Sequence, residues 1–478
     1  MRSTSWTARR SLWAFVITSV ASFMAALDNL VVTTALPSIR DHLHAGLGGL
    51  EWTVNAFTLT FAVLLLTGAS LGDRYGRRRL FAGGLVVFTL GSALAALAPG
   101  VGWLIAARAL QGVGGAVVMP LSLTILSASV PPERRNLAFG AWGAVTGLAV
   151  AVGPVVGGAI VSTFSWQWIF WLNVPIGLVL LPLALTRLEE SRGPSRRLDL
   201  PGLALASAGL LGVVLAMVRS TSLGWSDAEV WGGLVTGLVL LGAFVAWEAR
   251  AAEPMLPLRL FRSRSFSAGN AASLLMSFGM FGSIFLLAQF LQLVQHESPL
   301  SAGVHTLPWT AMPILVAPLG GLLTERIGGR AVLTTGLVLQ SLGLLVIGLV
   351  LTPTVAYAAL VPAFVVGGTG MALFFAPMAS TVLSAVSREE EGIASGTNNS
   401  LRELGGVLGI AVLASVFSAR GGYGSGAAFV AGTVPAVIVG AGVVLAGAAA
   451  AFLLPGRRPA PVAGTVETGD PGLLVEVA

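Results

Sequence analysis

The same short pattern occurs twice in this chain, and it decides how the remaining sequence is interpreted. Residues 68–79 read GASLGDRYGRRR, and residues 320–330 read GGLLTERIGGR. An acidic residue, arginine, glycine and a further arginine recur at identical spacing in the two stretches, which lie between long apolar runs. Self-similarity at this distance predicts two halves of similar construction.

The composition excludes several classes of protein. Only 10% of the 478 residues are charged, against roughly 25% in ordinary soluble domains. All 27 basic residues are arginine, so lysine-dependent phosphate loops and Schiff-base enzymes are excluded. The chain has no cysteine, which excludes disulfides and thiolate chemistry. We expect no cofactor, no metal site, no ATP, no nucleic-acid partner and no enzymatic activity.

Long apolar segments recur along the chain, each near the ~20 residues that a helix needs to cross a bilayer. They number about fourteen and predict an all-α polytopic membrane protein. The expected spans are 12–37, 51–71, 80–98, 102–126, 137–162, 168–187, 199–219, 229–249, 266–293, 302–322, 331–351, 355–385, 395–418 and 427–454.

Arginine placement sets the orientation, because positive residues accumulate in cytoplasmic loops. With a cytoplasmic N-terminus and an even number of spans, only Arg40, Arg219 and Arg420 fall on the outer side. Arg108 and Arg402 lie inside spans, and all other arginines are then cytoplasmic. Both termini are therefore expected in the cytoplasm, and the protein in the cell membrane in contact with lipid.

The repeat divides the chain into parts. We expect an N-terminal six-helix bundle at 1–187 and a C-terminal six-helix bundle at 265–455. Residues 188–264 would supply a linker and two additional central helices, and 456–478 a disordered cytoplasmic tail. Transporters with parallel repeats are built this way, with the substrate site between the halves near the middle of the membrane.

Asp28 lies inside the first span, where an ionised carboxylate costs at least ~2.5–3.5 kcal/mol on insertion scales. Such residues face a bundle interior, and protonation removes the charge. Arg108 in the fourth span comes at similar depth, so the two side chains could pair. We predict that Asp28 and Arg108 couple the protein to protons. The alternative is a structural role, with Arg108 satisfied by carbonyl groups and Gln111.

The repeated loop predicts a conformational latch at the cytoplasmic surface. Gly76 allows backbone angles that other residues resist, and Gly68 and Gly72 allow close helix contact. Asp73 can form ion pairs with neighbouring arginines that hold one conformation and release in another. The predicted latch comprises Gly68, Gly72, Asp73, Arg74, Gly76, Arg77 and Arg78 in the first copy, with Glu325 and Arg326 in the second.

The fifth span contains a run of small residues around a proline. Gly153, Pro154, Gly157 and Gly158 predict a closely packing helix face, and Gly143 and Gly147 extend it. In many membrane helices such a face serves packing only. Here we expect an interface between helices that moves.

Several further residues are candidates for gating or for a substrate cavity. Arg402 and Glu403 lie within the thirteenth span and form either a structural pair or part of a gate. The other candidates are Gln111, Asn398, Phe281, Phe285 and Gln289, since amides and aromatic side chains suit an adaptable cavity. Glu51, His296, Glu297 and His305 fall near the outer surface and are expected to be solvated.

Five motifs, in order along the chain, resemble those of the major facilitator superfamily, in its fourteen-span drug:proton antiporter branch of the QacA/EmrB type. Their sequences are LDNLVVTTALP at 27–37, the loop at 68–78, RALQG at 108–112, GPVVGG at 153–158 and WQWIFWLNVP at 166–175. The first motif departs from the family pattern at Leu30 and Thr33.

The resemblance implies the major facilitator fold, with the additional central helices, in a bacterial inner membrane. It implies that Asp28 takes up protons, that Arg108 tunes the transfer and that the glycine-proline face acts in antiport. The expected activity is proton-coupled export of amphiphilic drugs or toxic compounds by alternating access, by a monomer. Alternatives are a dedicated exporter of one metabolite and, from another class, a membrane sensor that transports nothing.

Overall fold

A computed structural model describes residues 2–131, 135–192, 199–383, 386 and 390–455. The expected tail at 456–478 lies outside these residues. The helices are α1 (Arg2–Leu43), α2 (Leu47–Tyr75), α3 (Arg77–Ala96), α4 (Val101–Ser129), α5 (Arg135–Thr163), α6 (Trp168–Trp171), α7 (Asn173–Arg187), α8 (Leu200–Leu223), α9 (Ala228–Glu248), α10 (Arg264–Leu293), α11 (Pro299–His305), α12 (Leu307–Thr310), α13 (Met312–Ile327), α14 (Gly329–Val350), α15 (Tyr357–Leu383), α16 (Glu391–Arg420) and α17 (Gly426–Phe452). A short 3₁₀ helix, Leu258–Arg262, precedes α10.

Within the described ranges, 13 helices are long and apolar enough to cross a membrane. The expected span 302–322 is instead divided among α11, α12 and the 16-residue α13. Pro308 and Pro313 stand at the starts of α12 and α13, where the missing N–H of proline costs nothing. With this broken segment the fold has about fourteen transmembrane passes, as predicted.

Glycines bring the helices of each half into close contact. In the first half α2 and α3 pack on α4, and a side chain at Gly114 would meet the backbone of Phe88. In the second half α10 packs on α16 and α17, and α14 packs on α15. A side chain at Gly282 would there meet the carbonyl of Gly409 at 2.6 Å. The hydrophobic effect does not drive helices together in lipid, so close packing through small residues stabilises such interfaces.

The two halves meet mainly along three pairs of helices: α5 with α11, α2 with α16 and α1 with α10. Gln292 on α10 donates to the carbonyl of Thr34 on α1 at 2.9 Å. Thr310 on α12 donates to the carbonyl of Ala151 on α5 at 3.1 Å. Because Thr34 and Gln292 lie in the outer parts of their helices, the halves are held together at their outer ends.

The additional helices α8 and α9 form a hairpin on the side of the molecule. They pack on each other through glycines, and α8 also lies against both α2 and α16. The hydroxyls of Ser220 on α8 and Ser415 on α16 are 2.7 Å apart, and Trp225 donates to Ser415 at 3.0 Å. The hairpin therefore covers the line along which the two halves meet.

The sequence repeat is visible in the backbone. Gly76 separates α2 from α3 with φ of 108°, and Gly328 separates α13 from α14 with φ of 87°. These are positive-φ conformations that residues with a side chain rarely adopt. Glycine is therefore required at the same point of both copies.

Candidate functional site

A buried ion pair joins α1 to α4. Arg108 Nη1 donates to Asp28 Oδ2, and the two side chains are 0% and 1% exposed respectively. Arg108 Nε donates to the carbonyl of Thr53 on α2 at 3.1 Å. The guanidinium also lies 4.6 Å from the centre of the Phe57 ring. The pairing that equal depth suggested is thus present in the structure.

Neutral side chains complete the surroundings of the Asp28 carboxylate. Gln111 Nε2 and Asn173 Nδ2 donate to Oδ1 at 3.1 and 2.7 Å. Gln111 also donates to the hydroxyl of Ser92 at 2.7 Å and accepts from Arg108 at 2.9 Å. Both carboxylate oxygens of Asp28 therefore receive hydrogen-bond donors in this conformation. Protonation of Asp28 would weaken the pair with Arg108.

Two members of this cluster were not predicted as site residues. Asn173 on α7 and Ser92 on α3 come from helices whose contact with α1 no local pattern indicates. Asn173 could have been noticed because its amide side chain lies between Leu172 and Val174 in an otherwise apolar helix. Gln111, expected either as a partner of Arg108 or beside a gate or cavity, lies enclosed in the Asp28 cluster and accepts from Arg108.

The latch loop forms a compact turn at the cytoplasmic end of the first half. Asp73 Oδ1 accepts from Arg77 Nε and Nη2, both at 2.8 Å. The guanidinium of Arg74 lies 5.4 Å from the ring centre of Tyr75. A side chain at Gly68 would meet the carbonyl of Ala116, and one at Gly72 would meet Leu121, so α2 lies directly on α4.

Glu190, which the sequence analysis did not single out, fixes the start of α3. Its carboxylate accepts from the backbone N–H groups of Arg78 and Arg79 at 3.0 and 3.3 Å. These amides have no partner within the helix, so Glu190 supplies the N-terminal cap. The backbone N–H of Arg77 donates to the carbonyl of Ser191 at 2.9 Å. The loop is thereby tied to the segment that follows α7.

The second copy of the latch is only partly described. Arg326 lies exposed in the last turn of α13. The side chain of Glu325 lies outside the described part of the chain.

The glycine-proline face of α5 contacts both halves. Side chains at Gly153 and Gly157 would meet Leu30 and Val31 of α1, and one at Gly158 would meet the carbonyl of Pro299. In return, a side chain at Gly303 on α11 would meet the carbonyl of Pro154. In this conformation added side chains at Gly143 and Gly147 would meet no described atom within 4 Å, so the expected extension of this face stays a prediction.

A cavity of about 100 Å³ lies between α10, α15 and α16 of the second half. Arg402 and Asn398 line it, as do Ser273, Phe374, Phe375, Met378, Val382, Ser395 and Asn399. Arg402 Nη2 pairs with Glu403 Oε1 at 3.1 Å, and the guanidinium lies 5.7 Å from the ring centre of Phe375. Asn398 donates to Asn270 and Ser273 on α10. The wall therefore combines four apolar side chains with one cation, two amides and two hydroxyls.

The predicted cavity residues of α10 are placed differently. Phe281 packs against the backbone of Gly406, while Phe285 and Gln289 are fully buried. Gln289 accepts from the hydroxyl of Tyr423 at 2.7 Å. None of the three lines the cavity described above, so in this conformation the expectation that they form its wall is not met.

The expectation of solvated residues at the outer surface is wrong for Glu51, which is 0% exposed. It is wrong also for Glu297 and His305, which are partly buried and bonded to each other at 2.7 Å. The His305 ring stacks on Tyr357, with 3.7 Å between centres. Only His296 is exposed as expected.

Comparisons with known proteins agree with this architecture. The family model of the Major Facilitator Superfamily matches residues 18–410 and, in a second match, 271–476. The tetracenomycin C resistance and export protein of Streptomyces glaucescens is 34% identical over 84% of this chain and 75% of its own. The multidrug resistance protein Stp of Mycobacterium tuberculosis is 36% identical over 86% and 76%. The cephamycin export protein CmcT of Amycolatopsis lactamdurans is 39% identical over 84% of both chains.

Solved transporter structures share the fold. A POT family transporter in complex with a thioalcohol-conjugated peptide matches with a TM-score of 0.69 at 14% identity, over 91% of this chain and 94% of that one. A bacterial homologue of the human lysosomal transporter Spinster, inward-facing and unoccupied, matches with a TM-score of 0.63 at 16% identity, over 93% and 97%. The chain is a multi-pass protein of the bacterial cell membrane. It belongs to the Major Facilitator Superfamily.

Proposed function

We propose that this protein exports amphiphilic, drug-like compounds from the cytoplasm in exchange for protons. The observation that carries the proposal is the buried pair of Asp28 and Arg108. A proton that reaches Asp28 neutralises the carboxylate and releases Arg108 from its counter-charge. Because Arg108 is also bonded to Thr53 on α2, the release would change how α1, α2 and α4 pack. Proton binding and helix rearrangement are then one event.

The relatives support the class of substrate. They include a multidrug resistance protein and export proteins for tetracenomycin C and cephamycin. The cavity beside Arg402, at about 100 Å³, would take only part of such a substrate, and its aromatic and methionine side chains accommodate varied apolar shapes. Arg402 and the neighbouring amides would orient a polar group of the substrate. We place substrate contact here rather than at Phe285 and Gln289.

The remaining motif residues would serve the conformational cycle. We assign the loop at Gly76 to a cytoplasmic latch and the face around Gly158 to closure of the outer ends. We retain the division into bundles at 1–187 and 265–455, with residues 188–264 adding the linker and the hairpin α8–α9. The protein would act as a monomer, with protons and the exported compound as its only small partners, and would catalyse no covalent chemistry.

Dedicated export of a single compound is the second candidate. Several relatives are named for one antibiotic, such as the puromycin resistance protein of Streptomyces alboniger, which is 34% identical. Expression in a host that lacks its own efflux pumps distinguishes the two. Protection against a chemically mixed panel supports broad export, and protection against one compound alone supports the dedicated exporter.

Inside-out membrane vesicles test the coupling. An imposed pH gradient, acidic inside, should drive accumulation of a fluorescent lipophilic compound such as ethidium in vesicles that contain the protein. Asp28→Asn should abolish the accumulation, and dissipating the gradient should abolish it in the unaltered protein. Undiminished accumulation by Asp28→Asn would remove Asp28 from the mechanism.

A further inference from the structure

Glu51 is a second acidic side chain enclosed in the membrane-spanning part of the molecule. It lies in the first turns of α2, near the outer end, and is 0% exposed. Neither of its carboxyl oxygens has a hydrogen-bond partner among the described residues. Asn55, four residues later on the same helix face, is equally buried, and both of its amide atoms also lack partners there. Two adjacent polar side chains are thus buried without the bonds that such groups normally make.

The contrast with Asp28 indicates the protonation state. Asp28 accepts from Arg108, Gln111 and Asn173, and its carboxylate is therefore stabilised. Glu51 receives no such donor, and an ionised carboxylate buried without donors or a counter-charge is strongly disfavoured. A protonated carboxyl is a hydrogen-bond donor as well as an acceptor, and the amide oxygen of Asn55 is an acceptor on the same face. The neutral form of Glu51 fits this site, and the ionised form does not.

Glu51 faces the place where the outer ends of the two halves meet. Tyr423, between α16 and α17, lies within electrostatic reach of Glu51 and donates to Gln289 of α10 at 2.7 Å. The guanidinium of Arg40, at the end of α1, lies 3.9 Å from the ring centre of Tyr423. Burial raises the pKa of the Tyr423 hydroxyl above its usual range, so this residue stays neutral. Tyr423 therefore joins α1 of the first half to α10 of the second half near the Glu51 carboxyl.

The other charged groups on the helices that pack against α2 are paired elsewhere or exposed to solvent. On α1, Asp41 and His42 are exposed at the outer end. Arg108 on α4 is bonded to Asp28, and Arg219 on α8 pairs with Glu229 at the outer surface. On α16, Arg402 pairs with Glu403, and Arg420 is exposed at the outer end. The charged groups of α3, Arg77, Arg78 and Arg79, lie at the cytoplasmic end. Arg40 is the cation nearest to this contact, and it is engaged with Tyr423.

We propose that Glu51 is a proton-binding site whose occupation is required for the outer ends of the two halves to close. The inference rests on the proposed proton-driven export and adds a second protonation site to it. When the outer ends separate, α2 moves away from Tyr423 and water hydrates the carboxyl, which then ionises. When Glu51 takes a proton from the outer solution, the neutral carboxyl can be enclosed again. In the closed arrangement Asp28 is paired with Arg108 while Glu51 is neutral.

Infrared spectroscopy tests the protonation state without requiring transport. A protonated carboxyl has a carbonyl stretching band that an ionised carboxylate lacks. Purified protein in lipid nanodiscs at neutral pH should show this band, and Glu51→Gln should remove it. The comparison is made in a Glu248→Gln background, because Glu248 is also buried, its Oε1 has no partner among the described residues, and its own carboxyl would contribute to the band. Glu297→Gln is the control, because the Glu297 carboxylate accepts from Ser301 at 3.1 Å, and this variant should leave the Glu51 band in place. A band that survives in Glu51→Gln and disappears in Asp28→Asn would overturn the assignment.

The absence of cysteine allows a second test of closure. Thr34 is 2% exposed and lies in the outer contact, so a single Thr34→Cys should react with a membrane-impermeant thiol reagent only when the outer ends open. One linked proton raises the reactive fraction with external pH by up to about tenfold per pH unit. Glu51→Gln should remove this dependence and leave the cysteine protected. A pH dependence that persists in Glu51→Gln would overturn the proposal. Loss of proton-driven export with the pH dependence intact would instead contradict the proposed function alone.

Discussion

Arg108 and Asp28 form an ion pair that is completely enclosed within the first half of the molecule, with the two side chains 0% and 1% exposed. Removing either partner leaves the other charge buried and uncompensated, at a cost of about 3–5 kcal/mol. A double-mutant cycle with Asp28→Asn and Arg108→Gln should therefore be strongly non-additive, with the double variant more stable than either single one. Thermal unfolding in detergent measures this. Additive effects would show that the two charges are not energetically coupled.

The cap supplied by Glu190 should contribute measurably to stability. Glu190→Ala removes the acceptor for the first N–H groups of α3, so we expect a loss of roughly 0.5–2 kcal/mol, as for other helix caps. Glu189→Ala is the matched control, because its pair with Arg10 is exposed to solvent on both sides. Exposed pairs contribute little. Equal melting temperatures for the two variants would contradict the capping role.

The two turn glycines should be hard to replace. Gly76→Ala and Gly328→Ala place a side chain at positive φ, which costs of order 1–3 kcal/mol. At Gly76 the added methyl group would also lie 2.8 Å from the Glu190 carboxyl. Gly83→Ala within α3 is the control, since the space around it is open and alanine favours a helix interior. Unfolding measurements should show a loss in the first two variants and none in the third.

Gly158 should control the closure of the outer ends. Gly158→Ala adds a methyl group against the carbonyl of Pro299 and forces α5 away from α11. In the Thr34→Cys background we expect severalfold faster labelling from outside and weaker export. Gly147→Ala lies on the same helix but meets no described atom within 4 Å, so its labelling rate should match that of the parent. Identical labelling of both variants would exclude a role for Gly158 in closure.

The fold could be predicted in outline because a membrane leaves few choices. Backbone polar groups must be satisfied inside each apolar segment, so run length and arginine placement identify helices and their orientation. The repeated loop placed glycine at the two turns where positive φ is needed. The broken segment Pro299–Ile327 was missed, since its prolines begin short helices without lowering the apolar character that marks a span.

The site could be predicted only in part. Asp28 and Arg108 could be predicted as site residues because charged side chains inside spans are rare and costly. The roles of Asn173, Ser92 and Glu190 could not be predicted, because they depend on contacts with helices that are distant in the sequence. Glu51 was placed in solvent because it opens a span near the outer surface. In the folded protein the second half covers the part of α2 that carries Glu51. The sequence of α2 alone does not indicate this burial.

The sequence by itself determined the membrane class, the orientation, the repeat and the family, because each depends on composition, periodicity or fixed local spacing. Only the tertiary structure decided which buried charges are paired. Asp28 lies among donors from α4 and α7, whereas Glu51 meets none among the described residues. The charge of a buried carboxyl is set by the donors around it, and those donors come from helices that lie far apart in the sequence.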